Sequence, residues 1–128
     1  MLRNKDAYRN AAFDWSCLAG CFGGTKISVG DVDGIVERKG NVMIMEAKPT
    51  GKDVQMGQRY LYEALVALGV RVVVVWHTDG NVTHLADWPR ETRGVPEALP
   101  SSLYDLRLLV LNWFAWAQAH PAKLSGKE

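Results

Sequence analysis

The chain has 128 residues, with 15 Lys plus Arg against 14 Asp plus Glu and a formal net charge of +1. That length suits about one domain and excludes separate cofactor and substrate domains, yet it leaves room for a hydrophobic core without disulfides or a structural metal. The near-neutral balance excludes a polybasic binder acting through bulk charge, but not an enzyme with a locally basic surface. Hydrophobic residues make up 48% of the chain and charged residues 23%, a globular composition rather than a disordered one.

In chain order, residues 5–20 read as a helix. Tyr8, Ala11, Ala12, Trp15, Leu18, Ala19 and Phe22 recur at three- and four-residue steps. Gly20, Gly23 and Gly24 end it. No uninterrupted apolar segment precedes it, so no signal peptide is expected. Cys17 and Cys21 share a face of such a helix and read as small apolar residues in a reducing compartment.

Residues 25–37 read as a strand, 38–41 as a turn and 42–48 as a second strand that Pro49 stops. Asp53 is expected to cap a helix reaching Leu68, with Val54, Leu61, Leu65 and Leu68 as its buried stripe and Gly69 as its stop. Residues 70–77 form a β-branched run typical of a strand buried on both faces. Asp79-Gly80 marks a hairpin, and 81–88 return as the fourth strand. That loop pairs His77 with Val82 and His84 with Val75, and both imidazoles read as ordinary ones.

Residues 89–100 hold three prolines and no periodicity, so they read as a surface connection. Ser101 or Ser102 caps a last helix running to about Ala119. Leu103, Leu106, Val110, Trp113 and Ala117 form its buried face, while Leu108, Leu109, Leu111, Phe114 and Trp116 spread apolar groups around it. This points to a homodimer through the helix. Its apolar stretch is too short to span a bilayer, which favours a soluble cytoplasmic protein. The expected order is α-β-β-α-β-β-α, an α/β fold with a mixed four-stranded sheet in one domain over residues 1–128.

The chemistry concentrates in GDVDGIVERKGNVMIMEAK, residues 30–48. A hairpin loop centred on Lys39-Gly40 sets Asp33 opposite Glu46. Centring it on Gly40-Asn41 keeps the same parity. In either register Asp33, Glu46 and Lys48 share one sheet face, because cross-strand partners and residues two apart point the same way. Two adjacent carboxylates repel unless a cation binds between them. A hard divalent ion such as Mg²⁺ takes a few carboxylate oxygens, water and substrate phosphate. It would activate a bound water against a phosphodiester, with Lys48 orienting that water or stabilising negative charge. On the following helix, Gln58 lies about 40° from the centre of the stripe, and Tyr62 is its i+4 partner.

Gly30-x-x-Asp33, Glu46-Ala47-Lys48 and Gln58-x-x-x-Tyr62, in that order, resemble the motifs of the PD-(D/E)XK nuclease superfamily, in particular its RecB-like branch. Gln58-Arg59-x-x-Tyr62-x-x-Leu65 and the Leu68-Gly69-Val70-Arg71-Val72 that follows are similar to small stand-alone VRR-type nucleases, often phage-encoded. The resemblance implies a restriction-endonuclease-like domain that cuts DNA with Mg²⁺ or Mn²⁺, RNA not being excluded. It implies Asp33, Glu46 and the Ala47 carbonyl as metal ligands, Lys48 as the catalytic lysine, and Gln58 as a residue that helps to position the nucleophile or the lysine. Many members add a carboxylate from the first helix, for which Asp14 is the better placed candidate. Asp31 is an alternative to Asp33. Val32 stands where the family name has proline. Lys26, Lys52, Arg59 and Tyr62 are the expected nucleic-acid contacts, supported by Arg38 and Lys39 on the hairpin and Arg3 and Arg9 on the first helix. The alternative is a binding module on the same fold that no longer cuts.

Overall fold

Four consecutive valines, Val72 to Val75, are buried at the centre of the sheet. A strand with alternate side chains on opposite faces can bury all four only if both faces are covered. This is the situation of β3 (Arg71–Thr78). The computed structural model describes residues 13–88 and 96–123. The chain divides into two units, Met1–Asp31 and Val32–Glu128, and the second holds an α/β fold with a five-stranded mixed sheet and two helices.

The strands are β1 (Gly34–Arg38), β2 (Asn41–Pro49), β3, β4 (Asn81–Asp87) and β5 (Leu99–Pro100), adjacent in that order. Only β2 and β3 run parallel. The helix α1 (Met56–Ala67) connects them, as a parallel pair requires. The second helix, α2 (Leu103–Ala119), follows β5.

Each helix covers one face. Tyr62 and Val66 of α1 pack on Val72, Val74, Trp76, Ala86 and Trp88. Trp113 and Ala117 of α2 pack on Met43, Val73, Val75 and Leu85. Burying one such aliphatic side chain contributes about 1.5–3 kcal/mol, so this two-sided packing is the main source of stability.

Both tight hairpins use two residues with positive φ. These are Lys39 (50°) with Gly40 (83°), and Asp79 (50°) with Gly80 (82°). Such turns match the right-handed twist of the flanking strands. The far end of the first hairpin is tied to the end of α2. Ala122 N–H donates to the Lys39 carbonyl at 2.9 Å, and Asn41 Nδ2 donates to the His120 carbonyl at 2.9 Å. Arg38 stacks its guanidinium over Phe114 at 5.6 Å and donates to Gln118.

Several sequence expectations change. The sheet has five strands rather than four, because Leu99 and Pro100 pair with Leu85 and His84. Residues 25–33 are not strand. Residues 1–12 of the expected first helix lie outside the described residues. Its remainder is a single 3₁₀ turn at Trp15–Leu18, with Trp15 54% exposed. One turn with no covered apolar face cannot offset the cost of helix nucleation. The first turn of α1 begins at Gln55 rather than Asp53. Its buried stripe runs through Tyr62 and Val66, leaving Leu61 and Leu68 exposed. Leu103 of α2 is likewise exposed, and Ser102 is the cap, accepting from the Asp105 N–H. Among the described residues no helix is long and apolar enough to cross a membrane, and Cys17 and Cys21 are free and exposed.

Candidate metal and catalytic site

The first hairpin has the register centred on Lys39-Gly40: Arg38 pairs with Asn41 and Gly34 with Met45. One step further sets Asp33 opposite Glu46. Strand pairing stops there for a chemical reason. The Ala47 N–H, which would continue the ladder, donates instead to Asp33 Oδ2 at 2.8 Å. The carboxylate thus replaces the next backbone acceptor and is fixed beside Glu46. The N–H and carbonyl of one strand residue point to the same side, so the Ala47 carbonyl also faces the Asp33 edge.

Glu46 and Lys48 lie opposite Val74 and Trp76 of β3, which belong to the α1 side of the sheet. Glu46 is only 7% exposed, and Lys48 is half-buried. Tyr62 comes down on them from α1. It is fully buried, edge-on to Trp88 at 5.0 Å, and its hydroxyl has no hydrogen-bond partner. Burial, then the negative charges of Glu46 and Asp33, push its ionisation well above the ordinary tyrosine range. Two carboxylates, an ammonium and an orphaned phenol therefore converge at one end of the sheet.

Gln58 is one turn before Tyr62 on the same helix face. Its Oε1 accepts from the Gln55 N–H at 3.4 Å, closing the first turn of α1. Arg59 is engaged on the helix by Glu63 at 2.9 Å, which keeps it fully charged. The Lys52 side chain is exposed, while its carbonyl accepts from Trp76 Nε1 at 2.7 Å.

Other expected residues have different settings. Tyr62 is a core residue, so it offers no surface for a nucleic-acid contact, which corrects that assignment. Asp14 caps its local turn, with Oδ1 accepting from the Ser16 N–H at 2.9 Å, and this bond lowers its pKa. Asp14, Lys26 and Asp31 belong to the first unit and are exposed. Arg38 and Lys39 sit at the turn end of the hairpin, five strand steps or about 17 Å from Glu46, and so do not supply local charge. Arg3 and Arg9 lie outside the described residues.

His84 is a residue the sequence misplaces. A β-bulge between Trp76 and His77 leaves Thr83 without a partner, so His84 pairs with Trp76 instead of Val75. The extra residue turns His84 onto the α1 face, in a row with Trp76 and Lys48. Two-residue periodicity carries no signal for such a bulge.

The oxygen donors suit a hard cation. Among the described residues no group of three or more His, Cys, Asp or Glu side chains comes together, so any metal here would rest on two carboxylates and a carbonyl. Mg²⁺ commonly binds through one or two carboxylates and retains several waters, and the donor set fits it. Comparison of the chain with known families, curated proteins and solved structures finds no match.

Proposed function

We propose that the chain is a metal-dependent nuclease of the PD-(D/E)XK type that hydrolyses phosphodiester bonds in DNA. One observation carries the reading: the Asp33 carboxylate, bonded to the Ala47 amide, is held opposite Glu46 on the face that also bears Lys48. An exposed, purely structural salt-bridged hairpin would leave its carboxylates in water. Here Glu46 is only 7% exposed, while Asp33 opposite it stays accessible from solvent.

Asp33, Glu46 and the Ala47 carbonyl would hold Mg²⁺ or Mn²⁺, which when bound supplies an activated water and charge neutralisation at the phosphate. Lys48 stabilises the negative charge that develops on the phosphate oxygens and orients the attacking water. Gln58 positions the same water or the Lys48 ammonium through its amide. Tyr62 fills the space behind Glu46 and limits solvent on that side of it. A neutral chain then approaches DNA through local charge, with Lys48, Lys52 and Arg59 facing phosphates. The reading includes a soluble, cytoplasmic enzyme.

The test is incubation with single-stranded, duplex, flapped and four-way-junction DNA, and with RNA, in Mg²⁺ or Mn²⁺. Glu46→Ala and Lys48→Ala should each abolish cleavage. Binding without cleavage would instead favour a module that has lost activity.

A further inference from the structure

The bulge that turns His84 onto the α1 face also opens a cleft beside the proposed site. The cleft, of about 290 Å³, is lined by Thr50, Gly51, Lys52, Asp53, Trp76, His84 and Ala98. A second hollow of about 360 Å³ shares Asp53, Trp76 and Ala98 and adds Val54 and Pro96. The two form one trough on the α1 side, past Lys48 in the direction of β4.

Its two sides differ in chemistry. Trp76, Val54, Pro96 and Ala98 give an apolar wall. The Trp76 ring cannot turn freely, because its Nε1 is bonded to the Lys52 carbonyl at 2.7 Å. The other side is polar: Thr50 and His84 line it, and hydrogen bonds to Thr78 and Thr83, which do not line it, hold them in place. Thr78 Oγ1 donates to Thr50 Oγ1 at 2.9 Å, Thr50 and Thr83 share a bond of 2.6 Å, and His84 Nδ1 bonds Thr83 Oγ1 at 3.0 Å. His84 Nε2 makes no hydrogen bond among the described residues. Lys52 and Asp53 bring opposite charges, so the trough is close to neutral.

A neutral trough with one apolar wall and a row of hydrogen-bonding groups suits a flat heterocycle better than an isolated phosphate. We infer that the trough receives an unpaired nucleobase of the substrate strand next to the scissile phosphate, with His84 on its polar edge and the apolar wall of Val54, Pro96, Ala98 and the accessible rim of Trp76 against its face. The inference rests on the nuclease reading for the kind of ligand. His84 lies two strands from Lys48, about 10 Å across the sheet, a reach of a nucleotide or two along an extended strand. Bases of single strands are read in this way, by apolar contact and edge hydrogen bonds. The enzyme would therefore prefer single-stranded or frayed DNA.

Two measurements on the full chain test this. In the first, the His84 ring resonances are followed by NMR during titration with thymidine 5′-monophosphate, deoxyadenosine 5′-monophosphate and inorganic phosphate. The nucleotides should shift His84 and phosphate should not. Equal shifts with phosphate, or none with the nucleotides, would overturn the inference whether or not the protein cuts DNA. In the second, binding of a single-stranded oligonucleotide in Ca²⁺ is compared with that of the same strand carrying abasic sites. His84→Ala and the trough-filling Ala98→Phe should each weaken binding of the intact strand about tenfold and leave the abasic strand unchanged. Equal losses on both strands would refute base recognition. A nucleotide shift at His84 with no cleavage of any substrate would keep the trough and remove the nuclease reading.

Discussion

Asp33 accepts the Ala47 amide at 2.8 Å, in the place where the next backbone bond of the hairpin would form. This bond does two jobs. It ends the strand pairing, and it fixes a carboxylate opposite Glu46. The two jobs separate by substitution. Asp33→Ala removes the acceptor and should cost about 1 kcal/mol of stability, whereas Asp33→Asn keeps an amide oxygen there and should cost less. Mg²⁺ or Mn²⁺ should raise the melting temperature of the wild type, since binding to the folded state alone stabilises it, and both substitutions should abolish that rise. Thermal melts with and without metal make the comparison. An undiminished metal shift in Asp33→Ala would remove Asp33 from the site.

Tyr62 gives a prediction without metal. Its hydroxyl is buried and has no partner, a state that costs free energy which Phe would not incur. Tyr62→Phe should leave metal-free stability unchanged or raise it by about 1 kcal/mol. The pH dependence follows from the raised ionisation of the folded tyrosine. In the unfolded chain Tyr62 ionises near pH 10, before the folded state does. Its contribution is therefore fully present below about pH 10 and lost as pH rises through the higher folded value. Urea titrations between neutral pH and about pH 11 should show a steeper loss for wild type than for Tyr62→Phe. Parallel curves would mean that the ring is not buried against the carboxylates.

Two glycines should respond in opposite directions. Gly80 has φ of +82° with open space around its missing Cβ, so Gly80→Ala costs only the conformational penalty, about 1 kcal/mol. Gly57 lies in the first turn of α1, also with open space and no positive φ. Gly57→Ala should stabilise by about 0.5–1 kcal/mol through helix propensity. Chemical denaturation of both variants checks the turn and the helix boundary together.

The outer face of α2 is apolar. Tyr104, Leu108 and Leu111 are 71%, 43% and 59% exposed, on the side opposite the buried Trp113 and Ala117. We propose that this face pairs with a second copy, as the composition of the helix suggests. A 17-residue helix is about 25 Å long, so its outer stripe falls well short of the roughly 800 Å² per partner of a standard interface. Self-association through it should be weak and rise with concentration. Light scattering should show monomer at low concentration, and Leu111→Glu should abolish the dimer at high concentration. A tight dimer that Leu111→Glu leaves intact would place the contact elsewhere.

The site strands were legible where local rules decide the outcome. Lys39-Gly40 admits a two-residue turn with positive φ, and the register it sets brings Asp33 opposite Glu46. The same logic failed at the second hairpin, since the turn at Asp79-Gly80 was correct but the bulge at Thr83 shifted every later pair. The face of α1 was misread because Leu61 and Leu68 look like core residues. Packing edge-on against Trp88 selects Tyr62 instead, and that depends on tertiary structure. Leu99-Pro100 is too short to carry a strand pattern, so β5 had no signal at all.

We propose that Asp33, Glu46 and Lys48 act together on a phosphodiester. The most direct test is single-turnover cleavage of labelled single-stranded DNA in Mn²⁺ by wild type, Glu46→Gln and Lys48→Met. Glu46→Gln keeps the side chain's shape and Lys48→Met keeps its length, so neither should disturb the fold greatly. The wild type should cleave, and each variant should lose at least about a hundredfold. Cleavage at the wild-type rate by either folded variant would contradict it.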